Sequence, residues 1–276
     1  MGKAMAYAFA EESDFERGRL SGLEAMVDPI TTDVLARLGV GPGWRCAEVA
    51  AGGGSVTRWL ADQVGPAGQV VATDLDVRHL AAVAAPNVQV LRHDFTVEDC
   101  PGNHFDLLHA RALLEHLPEP EKALDRLACW VRPGGWLVIE DFDWTARFLI
   151  APDPVLEKVL AVGMDFLRAS FTLDDLLGRA LPKLLSDQGL VDIGCEARSR
   201  LTRGNSAEAQ FWIQGFDRMR EALVATGQVT DQEIAAARAV QEDPSFLTMS
   251  PTLVSAWGRV PAVPGSWRSG GDAGGG

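Results

Sequence analysis

Arg45-Cys46-Ala47-Glu48-Val49-Ala50-Ala51-Gly52-Gly53-Gly54-Ser55-Val56 reads as a short buried strand that ends in an acid and breaks into a glycine-rich turn. A helix opens near Ser55 and continues through Thr57-Arg58-Trp59-Leu60-Ala61. After a further helix's length of chain, Val70-Val71-Ala72-Thr73-Asp74 is a second apolar strand tipped by an acid. Strand, glycine turn, helix and acid-tipped strand together make half of a nucleotide-binding α/β fold. The glycines let backbone approach a ligand, and the second acid can hydrogen-bond a ribose diol. Two acids at this spacing suggest an adenosine ligand without a diphosphate.

Working outward, strand and helix signals alternate. Strands are expected near 45–50, 69–73, 88–92, 105–109 and 136–140, and helices near 55–64, 77–84, 113–117 and 121–131. Gly65-Pro66-Ala67-Gly68, Pro86-Asn87 and Arg132-Pro133-Gly134-Gly135 are turn signals. Such alternation predicts a parallel sheet covered on both faces, with every strand's C-terminal end on one edge. Gly52, Asp74, Asp94, His109 to Arg111 and Asp141 to Trp144 would gather there. Before the first strand, 11–39 reads as helix interrupted at Pro29 and resumed through Val34, Leu35 and Leu38. After the fifth, 153–187 reads as helical, 191–201 as a sixth strand, 207–227 and 231–241 as helices, and Leu253-Val254-Ser255-Ala256-Trp257 as the last strand. The glycine-rich tail from Pro261 is predicted disordered.

The 276 residues can bury one large core, and the formal charge of −13 argues against a nucleic-acid partner. Lysine occurs only at Lys3, Lys122, Lys158 and Lys183, so no basic run exists. Cys46, Cys100, Cys129 and Cys195 form no C-x-x-C pair and read as free buried thiols of a reducing cytoplasm. No membrane span and no secretory leader are expected.

This chain resembles the class I S-adenosylmethionine-dependent methyltransferases over roughly residues 40–145. Glu48, Gly52 and Gly54 match the family's first motif, with Ala50 where its first glycine belongs. Asp74 matches the acid ending strand two, and Asp94 the acid after strand three. Phe105-Asp106-Leu107, Leu114-Glu115-His116-Leu117-Pro118 and Arg132-Pro133-Gly134-Gly135 are similar to its later motifs. The whole chain also resembles a group of actinobacterial methyltransferase-domain proteins, down to Ala256-Trp257-Gly258-Arg259.

The resemblance implies a Rossmann-like, mostly parallel sheet of seven strands flanked by helices. N-terminal helices (1–40) and helical insertions (about 146–190 and 205–242) would form a lid on a methyltransferase domain of residues 41–260. It implies S-adenosyl-L-methionine as cofactor and S-adenosyl-L-homocysteine as product. Glu48, Ala50, Gly52, Gly54, Asp74, Leu75, Asp94, Phe95 and Ala110 are the candidate cofactor contacts. Each acid could instead be a helix cap or loop acid. His109, Arg111 and His116 are candidates for the chemistry beside the methyl group, against buried or structural roles for both histidines. His79 and His104 read as surface residues. Asp141, Asp143 and Trp144, with Tyr7 and Phe9 in the N-terminal segment, are acceptor-side candidates. Phe148 and helical aromatics such as Phe166, Phe171, Phe211, Trp212 and Phe216 would fill a core or line an apolar pocket. No metal is required, and no zinc-type spacing is present.

The expected activity is direct methyl transfer to a small acceptor of specialised metabolism, by a cytoplasmic monomer or homodimer. The competing readings are a cofactor-binding scaffold or cyclase-like protein that does not methylate, which Ala50 favours, and a nicotinamide oxidoreductase, whose G-x-G-x-x-G is absent.

Overall fold

The computed structural model describes residues 13–102, 104–145 and 149–262. The expectations for Tyr7, Phe9, Phe148 and most of the tail lie outside these residues. Strands β1 (Arg45–Val49), β2 (Gln69–Asp74), β3 (Val88–Arg92), β4 (Phe105–Arg111) and β5 (Val131–Asp143) pair in parallel. The last long strand, β9 (Thr252–Arg259), runs antiparallel between β5 and β6 (Val191–Arg198). The seven-stranded order is β3-β2-β1-β4-β5-β9-β6. A separate two-stranded ribbon joins β7 (Leu201–Arg203) to β8 (Leu247–Met249). The Rossmann-like, mostly parallel sheet expected from the sequence is therefore the observed one.

Period-2 alternation divides the sheet's side chains between two faces. Ala47, Val49, Leu108, Ala110, Leu137 and Ile139 pack toward α3 (Pro120–Trp130) and α5 (Leu177–Asp187). Cys46, Val70, Leu107 and Val138 pack toward α1 (Ser13–Arg37) and α2 (Ser55–Val64). Helix α2 forms because Val56, Thr57, Leu60, Ala61 and Val64 recur at helical spacing and are all buried. Each large apolar side chain buried this way contributes about 1.5–3 kcal/mol. Gly65, at φ 62°, ends the helix. A second apolar cluster joins α4 (Pro154–Ser170), α6 (Ala207–Ala225) and α7 (Asp231–Glu242) through Leu156, Val159, Phe216, Leu223 and Ile234.

Five elements depart from expectation. Helix α1 is continuous through Pro29. Proline removes one backbone donor, but Met26, Val27, Ile30, Val34 and Leu35 around it are buried. The helix expected at 77–84 is a 3₁₀ segment, Val77–Ala82, capped by Asp76. The helix expected over 153–187 is broken at 171–176, where Asp174 N–H donates to Glu115 O and Trp144 N–H to Asp175 O. Strands β4 and β5 run longer than expected, so Arg111, Asp141 and Asp143 belong to strands. Arg132 to Gly135 form the irregularity in the β4–β5 register, with Gly134 at φ 76°.

Among the cysteines only Cys46 is fully buried. Cys129 and Cys195 are exposed, against expectation, on an outward helix face and on the edge strand β6. No helix of the described residues is long and apolar enough to cross a membrane.

Candidate active site

The glycine turn has the backbone its sequence calls for. Gly52 and Gly54 have φ of 54° and 77°, and Ala50 takes the same left-handed conformation at φ 57°. A side chain there costs about 1–2 kcal/mol, so Ala50 keeps the shape a glycine would give at a modest local cost. Asp74, at the end of β2, accepts from Gly52 N–H (2.9 Å, Oδ2) and Asp76 N–H (2.9 Å, Oδ1). Parallel pairing of β1 with β2 puts acid and turn side by side. Burial pushes the Asp74 carboxyl above its ordinary pKa, with the backbone donors of Asp76 and Gly52 opposing it. Leu75 stands exposed beside it (55%). Asp94 accepts from Thr96 N–H (3.0 Å) and the Thr96 hydroxyl (2.5 Å) on one oxygen, which is the loop-acid geometry weighed from the sequence. Phe95 and Ala110 are buried in the α3-side core, so only their backbone is available to a ligand.

Glu48 and His109 sit on the opposite, α1-facing side. Glu48 accepts from Thr57 Oγ1 (2.5 Å) and lies 3.8 Å from His109 Nδ1. His109 Nε2 is 3.3 Å from Glu140 Oε2, and Glu140 also accepts from Ser255 Oγ (2.5 Å) and Thr31 Oγ1. Glu140, His109 and Ser255 are completely buried. Arg111 donates to Thr31 Oγ1 (2.8 Å) and to Asp28 (2.9 Å). His109 and Arg111 therefore brace α1 against the sheet. Burial alone would lower the His109 pKa, but Glu140 and Glu48 raise it overall. Burial alone would raise Glu140, but the His109 hydrogen bond and charge, then Arg111, bring it below the usual carboxylate value.

A pair of buried acids joins the end of β5 to the segment after β4. Glu115 accepts from Phe142 N–H (3.2 Å) and Trp144 Nε1 (2.9 Å), and Asp141 accepts from Leu113 N–H (2.9 Å). One oxygen of each, Glu115 Oε1 and Asp141 Oδ2, has no hydrogen-bond partner. Burial pushes Asp141 up to about 8, and burial together with the Asp141 charge raises Glu115 well above its usual range. Asp141 is thus an internal acid, not a residue presented to an acceptor. Asp143 accepts from Thr145 and from Arg179 Nε (2.9 Å), the capping role weighed from the sequence. Because the folded Asp141 pKa exceeds its ordinary 3.8, its contribution to stability is full below that value and is lost as pH rises toward about 8. Asp141→Asn is therefore expected to lose less stability than wild type between about pH 4 and pH 8, read as melting temperature against pH.

His116 is partly exposed, with Nε2 3.5 Å from Glu115 Oε1. Burial, then the Arg19 charge, push it down to about 4, so its ring is neutral at pH 7. Trp144 packs on Phe142 (4.6 Å), stacks with Phe211 (6.2 Å, 14°) and meets Trp212 edge-on (5.9 Å). Trp144, Phe211 and Trp212 are partly buried and meet where the end of β5 faces α6. His79 is buried with both ring nitrogens unpartnered, and not at the surface, because its segment packs against α1 and β3. His104 is exposed, as expected.

Sequence reading missed what α1 contributes: Glu24, Asp28 and Thr31. It also missed Glu140, although an acid inside the apolar run Trp136-Leu137-Val138-Ile139-Glu140 is a legible signal, as are Glu48 and His109 at the same level of neighbouring strands.

Residues 24–171 match the profile of a methyltransferase domain. Among curated proteins, the ubiquinone/menaquinone biosynthesis C-methyltransferase UbiE of Ectopseudomonas mendocina is 34% identical over 121 residues, 41% of this chain and 47% of the relative. Methyltransferase str2 of Strobilurus tenacellus is 31% identical over 141 residues, 49% of each. The match thus spans about half the length of these relatives. Among solved structures, the methyltransferase complexed with the Trm112 activator of Haloferax volcanii superposes with TM-score 0.56 at 19% identity, covering 90% of this chain and 95% of that one.

Proposed function

Because the chain belongs to the methyltransferase-domain family of class I S-adenosylmethionine-dependent enzymes, we propose that it methylates a small, largely apolar, planar acceptor. The observation that carries this reading is the Ala50–Gly54 turn, in left-handed backbone and hydrogen-bonded to Asp74. The cofactor suits these residues. A Cβ at Gly54 would fall 2.4 Å from Val83 and one at Gly53 2.3 Å from Glu24, so the turn stays bare for close approach. Each Asp74 oxygen has a lone pair left for a ribose hydroxyl. Leu75 offers an apolar surface to adenine, and the second Asp94 oxygen can accept from its amino group.

When bound, S-adenosylmethionine supplies an electrophilic methyl group. The chain's own residues then have to position an acceptor and exclude water, which is worth up to about 7–11 kcal/mol. Trp144, Phe211 and Trp212 provide flat apolar surface for a planar acceptor. The neutral His116 ring can hydrogen-bond an acceptor hydroxyl. Helix α1 with the α4, α6 and α7 cluster would form the lid. The UbiE relative, named for quinone biosynthesis, supports an apolar acceptor. We extend the reading to work in the cytoplasm, with which free cysteines accord, on an acceptor of specialised metabolism.

The test is transfer of labelled methyl from S-adenosylmethionine to a panel of planar phenols and hydroquinones set beside small hydrophilic amines. Turnover confined to the planar set is expected. Turnover on the amines alone, or none on any acceptor, overturns the acceptor class. Trp144→Leu is expected to raise KM for a planar acceptor by roughly three- to tenfold, because one aromatic contact is lost, with a smaller change in kcat.

A further inference from the structure

Gly53 is the one glycine of the turn whose backbone does not need to be glycine. Gly52 and Gly54 have positive φ, and Gly53 does not. What requires its bareness is Glu24 on α1: a Cβ at Gly53 would stand 2.3 Å from Glu24 Oε1. That oxygen is buried against the turn and has no hydrogen-bond partner. A carboxylate oxygen removed from water and left unpaired is a cost that proteins keep where a ligand will satisfy it.

The other acids nearby are already matched. Asp28 is paired with Arg111 at 2.9 Å and accepts from Ser55 Oγ at 3.1 Å. Both Asp74 oxygens accept backbone N–H groups. Glu24 forms no ion pair with any described residue. The Arg111 and Arg58 charges and the Ser55 hydroxyl are felt by the carboxyl, but Arg111 is paired with Asp28 and the exposed Arg58 guanidinium hydrogen-bonds Gly53 O (3.3 Å), so none of them satisfies Oε1. The turn therefore presents a carboxylate with one buried, unpaired oxygen to whatever lies on its bare backbone.

We propose that Glu24 receives the α-ammonium group of the cofactor's methionine part, so that helix α1 completes the cofactor site. This rests on the methyltransferase reading and names a residue for it. An ammonium carries three donors and a full positive charge, and so satisfies the unpaired oxygen with a charge-assisted hydrogen bond. The carboxyl's raised pKa in the free protein, caused by burial and then by Asp28, has the same origin. Because Glu24 belongs to the helix that Thr31, Asp28 and Arg111 brace on the sheet, its position is set by the buried network described above.

The experiment is calorimetry on the full chain with three ligands: S-adenosylhomocysteine, its analogue with hydrogen in place of the α-amino group, and 5′-methylthioadenosine, which lacks the amino-acid part. Wild type is expected to prefer S-adenosylhomocysteine over the deamino analogue by roughly ten- to hundredfold, the size of a charge-assisted bond. Glu24→Gln is expected to bring that ratio close to one and to leave methylthioadenosine affinity within about twofold, because the adenosine end is a separate contact. Gly53→Ala should have the same selective effect, since its Cβ displaces the carboxylate, and it serves if the first variant does not fold. A ratio near one in wild type, or a ratio unchanged in a folded variant, overturns the assignment. Failure of wild type to bind any of the three ligands overturns the cofactor reading itself, a different result from binding without amino-group discrimination.

Discussion

Asp74→Ala is expected to weaken S-adenosylhomocysteine binding by roughly 10²–10⁴-fold, because two hydrogen bonds to a charged acceptor are worth about 3–6 kcal/mol. The carboxylate has two roles at once. It accepts from Gly52 N–H and so holds the glycine turn against β2, and it keeps a lone pair on each oxygen for a ribose. Alanine removes both. The freed backbone donors lie at the open edge, where water can reach them, so the fold should survive. Calorimetry with circular dichroism checks both statements. Because burial raises the Asp74 pKa above its ordinary 3.8, wild-type affinity should also fall as pH drops toward that raised value. Wild-type affinity in a folded Asp74→Ala protein would remove Asp74 from the site.

The second large effect is on stability. His109→Leu leaves Glu48 and Glu140 buried without their cation, and breaking a buried pair in this way costs about 3–5 kcal/mol. For a chain of this size that corresponds to a fall in melting temperature of roughly 6–20 °C. The effect depends on pH, and its direction follows from the shifts. The folded His109 pKa is raised, so its contribution is full below the ordinary 6.5 and is lost as pH rises through the folded value. The folded Glu140 pKa is lowered, so its contribution is present above the ordinary 4.5 and is lost as pH falls through the folded value. The gap between variant and wild type is therefore widest between 4.5 and 6.5. Replacing Glu140 with leucine in the His109→Leu background should recover part of the loss, since an apolar pair carries no unmet charge. An unchanged melting temperature in His109→Leu would mean that the network does not brace α1.

The cofactor half of the site was legible because its information is local. Glycines at 52 and 54 announce backbone that few other residues adopt, and Asp74 ends an apolar run. The acceptor half was harder to read. Asp141 and Asp143 look alike as acids after a strand, yet both lie within β5, one in a buried acid pair and the other on Arg179. Exposure and partner separate them, and both depend on segments distant in sequence, Leu113 to Glu115 for one and α5 for the other. His109 and His116 were equal candidates for the same reason. Only packing makes one a completely buried brace and leaves the other partly exposed and neutral.

By itself the sequence determined the alternation of strands and helices, the glycine turn and the acid beside it. Side-chain periodicity and glycine's freedom of φ act over a few neighbouring residues and need no tertiary context. The tertiary structure alone decided that α1 runs unbroken through Pro29, that Glu24 lies against Gly53, and that Glu140 gathers Thr31, His109 and Ser255. Those contacts join residues up to 115 positions apart. They exist because strand register sets polar side chains at matching heights on one face of the sheet, where a buried charge is stable only when another segment supplies its partner.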